Sequence, residues 1–344
     1  MNAPLAVILE GTVEEGTPAI EAAEIRTNSN EIGAALKAIG YKVEIVTLTF
    51  DIARARKQLE KLKPEVAFNL VDSIEGKGDL IALAPMLLTH LNIPYTGTNA
   101  PVTTVTCDKL LSKQVLKAYG LKTAPWLTET QINTAGKELS CPYILKSITE
   151  HASFGMGSDS VVKNRATLRK RLQEKKQEFW GDWFAEAYIE GREFNLALLA
   201  SSGPERVTLL PPAEIVFTAD FPKHKPKIID YAAKWHTQTP EYKGTVRNFE
   251  RIAKEPKLRQ ALQKVARECW DAFGLTGYAR VDFRVDKKGV PYVLEVNSNP
   301  FLTAHEGFGK AAQHGGLSFT DTVRAIVTDA YHRSARKLPK VLAA

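Results

Sequence analysis

The segment that most restricts how this 344-residue chain can fold runs from Ala279 to Pro300. Ala279–Val285 and Tyr292–Val296 read as strands, and Asp286-Lys287-Lys288-Gly289 between them is a hairpin turn signal. Side chains alternate along a strand, so Arg280 and Asp282 share one face, and Glu295 and Asn297 share a face of the partner strand. Pairing across the turn would gather a guanidinium, two carboxylates and an amide oxygen in one place. Hard oxygen donors of this kind suit Mg2+, with substrate phosphate completing its shell. An arginine beside them would face the charge that accumulates during phosphoryl and acyl transfer. The same spacing fits an exposed sheet face carrying salt-bridged charges equally well.

Ahead of this hairpin the chain divides by pattern. Leu5–Leu9, Val43–Leu48 and Val66–Val71 are short apolar runs, and Asn28–Ile39 and Leu80–Leu91 between and after them have helical periodicity. Strands alternating with helices predict a small parallel α/β domain. Asp108–Tyr119 is a second amphipathic helix closed by Gly120, and Tyr143–Lys146 is a strand followed by a glycine-bearing loop. Ala166–Glu178 reads as a charged helix, and Trp183–Ile189 and Phe194–Leu199 as strands, so this block reads as antiparallel α+β. Pro204–Gly244 reads as irregular, Pro256–Phe273 as a helix and Phe319–His332 as the closing helix.

Two further features qualify as candidate sites. Lys109 opens a helix, and Lys146 ends a strand before His151-Ala152-Ser153-Phe154-Gly155-Met156-Gly157, where small residues let backbone N–H groups approach phosphate. No Walker or Rossmann glycine pattern is present, and a surface lysine is the plainer account of Lys109. Glu186 and Glu193 flank Ala187-Tyr188-Ile189-Glu190-Gly191-Arg192, where they could meet an adenine amino group and a ribose hydroxyl, or simply be solvated turn carboxylates. The net charge of +7 agrees with an anionic partner and also with a basic solvated surface. The densest cationic run, Lys223-His224-Lys225-Pro226-Lys227, lacks interleaved aromatic residues, which argues against nucleic acid. No apolar run approaches the ~20 residues that span a bilayer, and the first residues carry no basic leader, so neither membrane insertion nor secretion is expected. Cys107, Cys141 and Cys269 show neither metal-ligand nor disulfide spacing, which fits reduced thiols in a cytoplasm.

Taken in order, Asp108-Lys109-Leu110-Leu111-Ser112-Lys113, Ile144-Leu145-Lys146, Glu186 with Glu190-Gly191-Arg192-Glu193-Phe194, Arg280-Val281-Asp282 and Leu294-Glu295-Val296-Asn297 resemble the D-alanine–D-alanine ligase branch of the ATP-grasp superfamily. The resemblance runs from the first strand to the last helix. It implies a mixed α/β and α+β ATP-grasp fold behind an N-terminal parallel α/β domain, divided at 1–105, 106–190 and 191–344. It implies an ATP-dependent, ADP-forming ligase that joins a carboxylate to an amine through an acyl-phosphate. By position, Lys109 and Lys146 would contact ATP phosphates, Glu186, Ala187 and Ile189 would hold adenine, and Glu193 the ribose. Lys234 matches the lid lysine that reaches the γ-phosphate, Arg280 the catalytic arginine, and Asp282, Glu295 and Asn297 the ligands of two Mg2+ ions, for which Mn2+ can substitute. The glycine-rich loop corresponds to Glu150–Gly155, with Ser153 as its catalytic serine. Partners are small amino acids or amines, and family analogy adds a homodimer.

The departures from this family cluster where substrates bind. Leu70-Val71-Asp72-Ser73-Ile74-Glu75-Gly76 replaces the family's His-Gly loop, and Glu14 is the candidate for its substrate glutamate. Ala152 and Trp235 replace a serine and a lid tyrosine, predicting a different lid latch. Phe301 stands where the family has the oxyanion-hole glycine, and Glu306 falls where a serine or lysine receives the second substrate's carboxylate. A carboxylate there would repel a carboxylate, so the expected nucleophile is an amine other than D-alanine. D-Alanine–D-alanine ligase itself, a carboxylase forming carboxy-phosphate, and a nucleotide-binding protein without catalysis are the rival readings.

Overall fold

The computed structural model describes residues 3–13, 19–134, 142–201 and 206–342. Its first sheet is parallel: β1 (Leu5–Glu10) lies between β2 (Lys42–Thr47) and β3 (Val66–Asn69). One face of this sheet packs Val7 and Leu9 against Leu59, Leu87 and Leu88. The other packs Ile8 and Phe68 against Ile32, Leu36 and, from the far end of the chain, Ile326, Val327 and Tyr331. Burial on both faces explains why β1 and β3 are continuous apolar runs. The helix carrying Ile32 extends back to Ala19, well before the expected Asn28 start.

The second sheet is antiparallel, in the order β4 (Trp126–Leu127), β7 (Trp183–Ala187), β5 (Tyr143–Ser147), β6 (Val161–Val162). Its core of Tyr143, Leu145, Trp183 and Ala185 packs on Leu168 and Leu172 of the helix Arg165–Glu178. The third sheet takes β8 (Gly191–Ala200) as its hub, with β9 (Val207–Leu209) and β10 (Ala213–Phe217) beside it, β11 (Thr245–Asn248) at one edge and β12 (Tyr278–Asp286) and β13 (Pro291–Asn297) on the other side. The segment expected to be irregular over 204–244 therefore contributes two strands and the short helices Tyr231–Trp235 and Pro240–Lys243. Pro211-Pro212 splits its apolar residues into runs too short to read as strands alone.

Two features tie the third sheet to its surroundings. Leu116 of the helix Lys109–Ala118 enters the core of Phe194, Leu196, Val281 and Phe283, so this helix packs on the third sheet although it precedes the second in sequence. Arg192 on β8 forks onto Glu214 of β10 (2.9 and 2.8 Å) and Glu255 ahead of the helix Pro256–Phe273 (both 2.8 Å). Glu214 is buried, and among the described residues it keeps only the 3.5 Å cationic contact with Arg251 if Arg192 is lost. Arg192→Met is expected to cost about 2 kcal/mol, less than a fully buried pair because the guanidinium is partly exposed; urea unfolding measures it.

The helix Ala100–Cys107 was not expected from its β-branched sequence. Asn99 caps it, Pro101 sits in its first turn, and Thr103, Thr104 and Thr106 bond back to carbonyls four residues earlier. It delivers Asp108, whose side chain caps the next helix at Leu110 and Leu111 and so fixes Lys109 and Lys113 one turn apart.

Candidate active site

A cavity of ≈ 490 Å3, ample for a drug-sized ligand, opens between the second and third sheets and the N-terminal helix Ala19–Ile39. Lys109, Lys146, Ser153, Glu186, Ala187, Ile189, Glu193, Lys234, Arg280, Asp282, Glu295 and Glu306 line it. Among the expected site residues, Gly155, Asn297 and Phe301 are not part of its wall, and Glu14 lies outside the described residues, as does Cys141.

At one side of the cavity the β12/β13 register sets Arg280 opposite Asn297 and Asp282 opposite Glu295. The pairing slips after Asp282, where a β-bulge places Phe283 opposite Val293. Arg280 forks onto both oxygens of Asp282 (Nε–Oδ1 and Nη2–Oδ2, each 2.7 Å), and Asn195 Nδ2 also donates to Oδ1 at 2.7 Å. Glu295 Oε1 receives His151 Nδ1 at 2.8 Å. Burial opposes the charge of Glu295, but the His151 bond and the nearby Lys109 and Arg280 hold its carboxyl below the usual range. Burial likewise opposes charging of His151, yet its bonds to Cys107 and Glu295 outweigh that and raise it to about 9. Asn297 Oδ1 accepts from Asn299 N–H at 2.9 Å. Two carboxylates facing one another across a strand pair, with Asn297 two residues beyond Glu295 on the same strand, fit Mg2+ by the chemistry of their oxygen donors. Among the described residues no group of three or more His, Cys, Asp or Glu forms a metal cluster, so phosphate or water oxygens would have to complete the shell.

On the opposite wall Glu186 is nearly inaccessible and bridges two lysines, Lys113 Nζ at 2.5 Å and Lys146 Nζ at 2.6 Å. Both ammoniums hold its carboxyl below the usual range although burial pushes the other way. Glu186 is therefore the counter-ion of two cations. Ala187 and Tyr188 N–H donate to the Pro125 and Pro142 carbonyls, which fixes the end of β7 in the cavity wall. Glu193 is buried beside Arg284 (3.4 Å), and burial raises its carboxyl. Lys109 Nζ donates to the Glu150 carbonyl at 2.7 Å, tying the helix to the root of the glycine-bearing loop.

That loop is latched to the segment 228–236. Ser153 Oγ donates to the Ile229 carbonyl (2.7 Å), Tyr231 N–H to Met156 O (3.0 Å) and Trp235 Nε1 to Ala152 O (3.2 Å). Ala152, Ser153 and Gly155 have φ of 60°, 63° and 62°, the left-handed region. Lys234 follows from the helix Tyr231–Trp235; its side chain is accessible from the cavity but enclosed by its walls, and that enclosure, then Arg280, pulls its ammonium down.

At the remaining end Glu306 Oε2 meets Arg247 Nη1 at 2.8 Å, and Lys310 stands one helical turn beyond it. The Glu306 carboxylate is thus paired, which removes most of the repulsion expected from its charge alone. Phe301 lines a separate small recess with Glu10, Asn28 and Asp72. Sequence reasoning passed over Lys113, His151, Glu24, Arg247, Lys310 and Arg284. Only Lys113 carried a local signal, its four-residue spacing from Lys109.

Comparison with known proteins bears on the family and the fold. Residues 115–328 match the family model of the D-ala D-ala ligase C-terminus. The chain is 30% identical over 327 residues to a D-alanine–D-alanine ligase of Carboxydothermus hydrogenoformans, covering 92% of this chain and 96% of the relative. Its fold matches the D-alanine–D-alanine ligase of Bacillus anthracis complexed with ATP (TM-score 0.71, 23% identity, 97% and 99% of the two chains). It also matches the VanG D-Ala:D-Ser ligase of Enterococcus faecalis (TM-score 0.72, 16% identity, 96% and 100%). Among the described residues no helix is long and apolar enough to cross a membrane.

Proposed function

The chain belongs to the D-alanine–D-alanine ligase family and is an ATP-dependent, ADP-forming ligase of carbon–nitrogen bonds; from that premise we propose that it makes an amide or dipeptide with an amine other than D-alanine. The observation that carries the reading is the β12/β13 register, which sets Arg280 and the two carboxylates on the wall of a cavity that also holds Lys109, Lys146 and Lys234. In this reading the lysines bind the triphosphate, Glu186, Ala187 and Ile189 border the adenine, Glu193 meets the ribose, and the loop around Ser153 and Gly155 covers the phosphates. Asp282, Glu295 and Asn297 would hold two Mg2+ ions, or Mn2+ in their place. When bound, such ions neutralise charge on the phosphates.

The first substrate's carboxylate oxygen attacks the γ-phosphorus and ADP leaves, giving an acyl-phosphate. The amine then attacks the acyl carbon, inorganic phosphate leaves and the amine gives up a proton. Arg280 faces the oxyanion of that step. Its fork occupies both oxygens of Asp282, so an ion held there would compete with Arg280 for them and leave guanidinium donors for the reacting oxygen. The contacts of Ser153, Met156 and Ala152 with the lid close the site to water, which would otherwise hydrolyse the acyl-phosphate. Glu24, on the cavity-facing side of its helix, supplies a carboxylate for an ammonium of the first substrate, the role that the sequence suggested for Glu14. Family analogy adds a homodimer, which light scattering reads directly.

The choice of amine rests on Arg247, Glu306 and Lys310, a polar and charged wall where the family has a small hydroxyl or a single cation. The paired state of Glu306 favours one second reading, D-alanine–D-alanine ligase itself. A matrix of amino acids and amines, followed by phosphate release and product mass, separates the two. We expect the preferred pair to exceed D-alanine with D-alanine by at least about tenfold in kcat/KM. A best rate with D-alanine as both substrates would return the chain to the parent activity.

A further inference from the structure

Lys113 has no part in the chemistry above, although it is among the most deeply buried charges of the molecule. We propose that Lys113 is a positioning residue: it takes up the charge of Glu186, so that the Lys146 ammonium faces the nucleotide phosphates as a net cation. The proposal rests on reading Lys146 as a phosphate ligand.

The register places Ile144 opposite Glu186, so Lys146, two residues on, stands on the same face and reaches Glu186 diagonally. Lys113 approaches from the other side, on the helix that begins at Lys109. The side chains of Lys113, Glu186 and Lys146 are 2%, 1% and 14% exposed, so accessibility rises toward Lys146. The Lys113 ammonium donates to Thr123 Oγ1 at 2.8 Å and Ala124 O at 3.0 Å, and its third contact is the ion pair with Glu186 Oε2 at 2.5 Å. Trp126 and Phe184 face it at 5.6 and 6.0 Å. A lysine so saturated cannot reach a ligand, and it is absent from the cavity wall that Lys146 and Glu186 help to form.

Charge matching explains why two lysines attend one carboxylate. Lys146 alone would neutralise Glu186, so a second buried ammonium is not needed for neutrality, and it carries a desolvation cost. Burial pulls the Lys113 ammonium down while Glu186 and its polar partners sustain it; with it charged, the group has two positive charges to one negative. Without it, Lys146 and Glu186 form a neutral pair, and the Glu186 carboxylate in the cavity wall opposes a triphosphate. In such a poorly screened place one unit of charge is felt strongly.

The test compares ADP with adenosine, which lacks the phosphates, by calorimetry on the full-length protein. Lys113→Met is expected to weaken ADP by about tenfold or more while adenosine changes less than about twofold. Lys113→Arg should restore ADP to within about threefold, and the double variant K113M/E186Q should return the ADP-to-adenosine ratio to within about threefold of the parent. With both charges removed, Lys146 is again uncompensated. The kcat at saturating ATP should change far less than the KM for ATP. Equal weakening of ADP and adenosine, an unchanged ratio, or no recovery in the double variant overturns the proposal. Lys113→Gln serves where Lys113→Met does not fold. Lys146→Met separates the layers: if it leaves the ratio unchanged, the phosphate reading of Lys146 fails. If it lowers the ratio and Lys113→Met does not, only the role of Lys113 fails.

Discussion

Glu295→Gln is expected to lower turnover by about a thousandfold while leaving the melting temperature within a few degrees of the parent. Glutamine keeps the volume of the side chain and can still accept from His151, which lies 2.8 Å from Glu295 Oε1, so the packing of β13 is preserved. What it loses is a full negative charge directly across from Asp282. Asp282→Asn should fall as far in turnover but also melt lower, because Arg280 forks onto both Asp282 oxygens and asparagine offers it only one. A third substitution on the same strand serves as control. Asp286 caps the hairpin turn through Lys288 and Val290 N–H and takes no part in the cavity, so Asp286→Asn should retain most of the activity. Mn2+ binding by calorimetry in the presence of nucleotide gives a readout independent of turnover, and both carboxylate variants should bind the ion at least about tenfold more weakly. Activity within tenfold of the parent for either one would falsify the metal assignment.

The hairpin was legible in the sequence because all of its information is local. A period of two and a turn signal fix which side chains share a face, and the family motifs occur in order along the chain. The charge environment was not legible. Glu306 could be placed at the cavity from its position after Asn297, but whether it repels a substrate depends on Arg247, which arrives from β11, a short edge strand just beyond the segment that reads as irregular. Glu186 could be singled out, yet its two lysines come from a helix and from a neighbouring strand, and no spacing in the chain announces that they share one carboxylate. Glu24 escaped notice because its helix begins at Ala19 rather than near Asn28. The lid latch was half legible. The paired changes at Ala152 and Trp235 signalled an altered contact, whereas the bond itself joins an indole N–H to a backbone carbonyl, an acceptor that every residue possesses. Properties set by one strand and its neighbour in sequence could be read, and those set by three distant elements meeting could not.

Gly155→Ala should cost about a hundredfold or more in turnover, through the loop rather than through any group that touches substrate. Gly155 has φ of +62°, where a Cβ is strained. Its Cβ would also come within 2.6 Å of Trp183 Cη2 and 3.3 Å of Phe179 Cδ2. Trp183 is fully buried in the second sheet and cannot retreat, so the loop must move instead. The segment that moves carries the Ala152 carbonyl and the Ser153 hydroxyl, which hold the lid through Trp235 and Ile229, and the lid carries Lys234. A displacement of about an ångström there would open the closed arrangement at both ends. Gly157 provides the contrast. Its φ is −138°, an ordinary extended value, and an added Cβ would meet only the movable carboxylate of Asp159 at 2.8 Å. Gly157→Ala should therefore stay within about threefold of the parent, since a side chain of that kind can rotate away. Because the loop shifts while Trp183 and the rest of its core stay in place, neither variant should lower the melting temperature by more than about 3 °C. In Gly155→Ala, hydrolysis of ATP without amide product should rise relative to ligation, since an open lid admits water to the acyl-phosphate. Equal activity of the two alanine variants, or loss of turnover with the ratio of ligation to hydrolysis unchanged, would show that the latch does not govern closure.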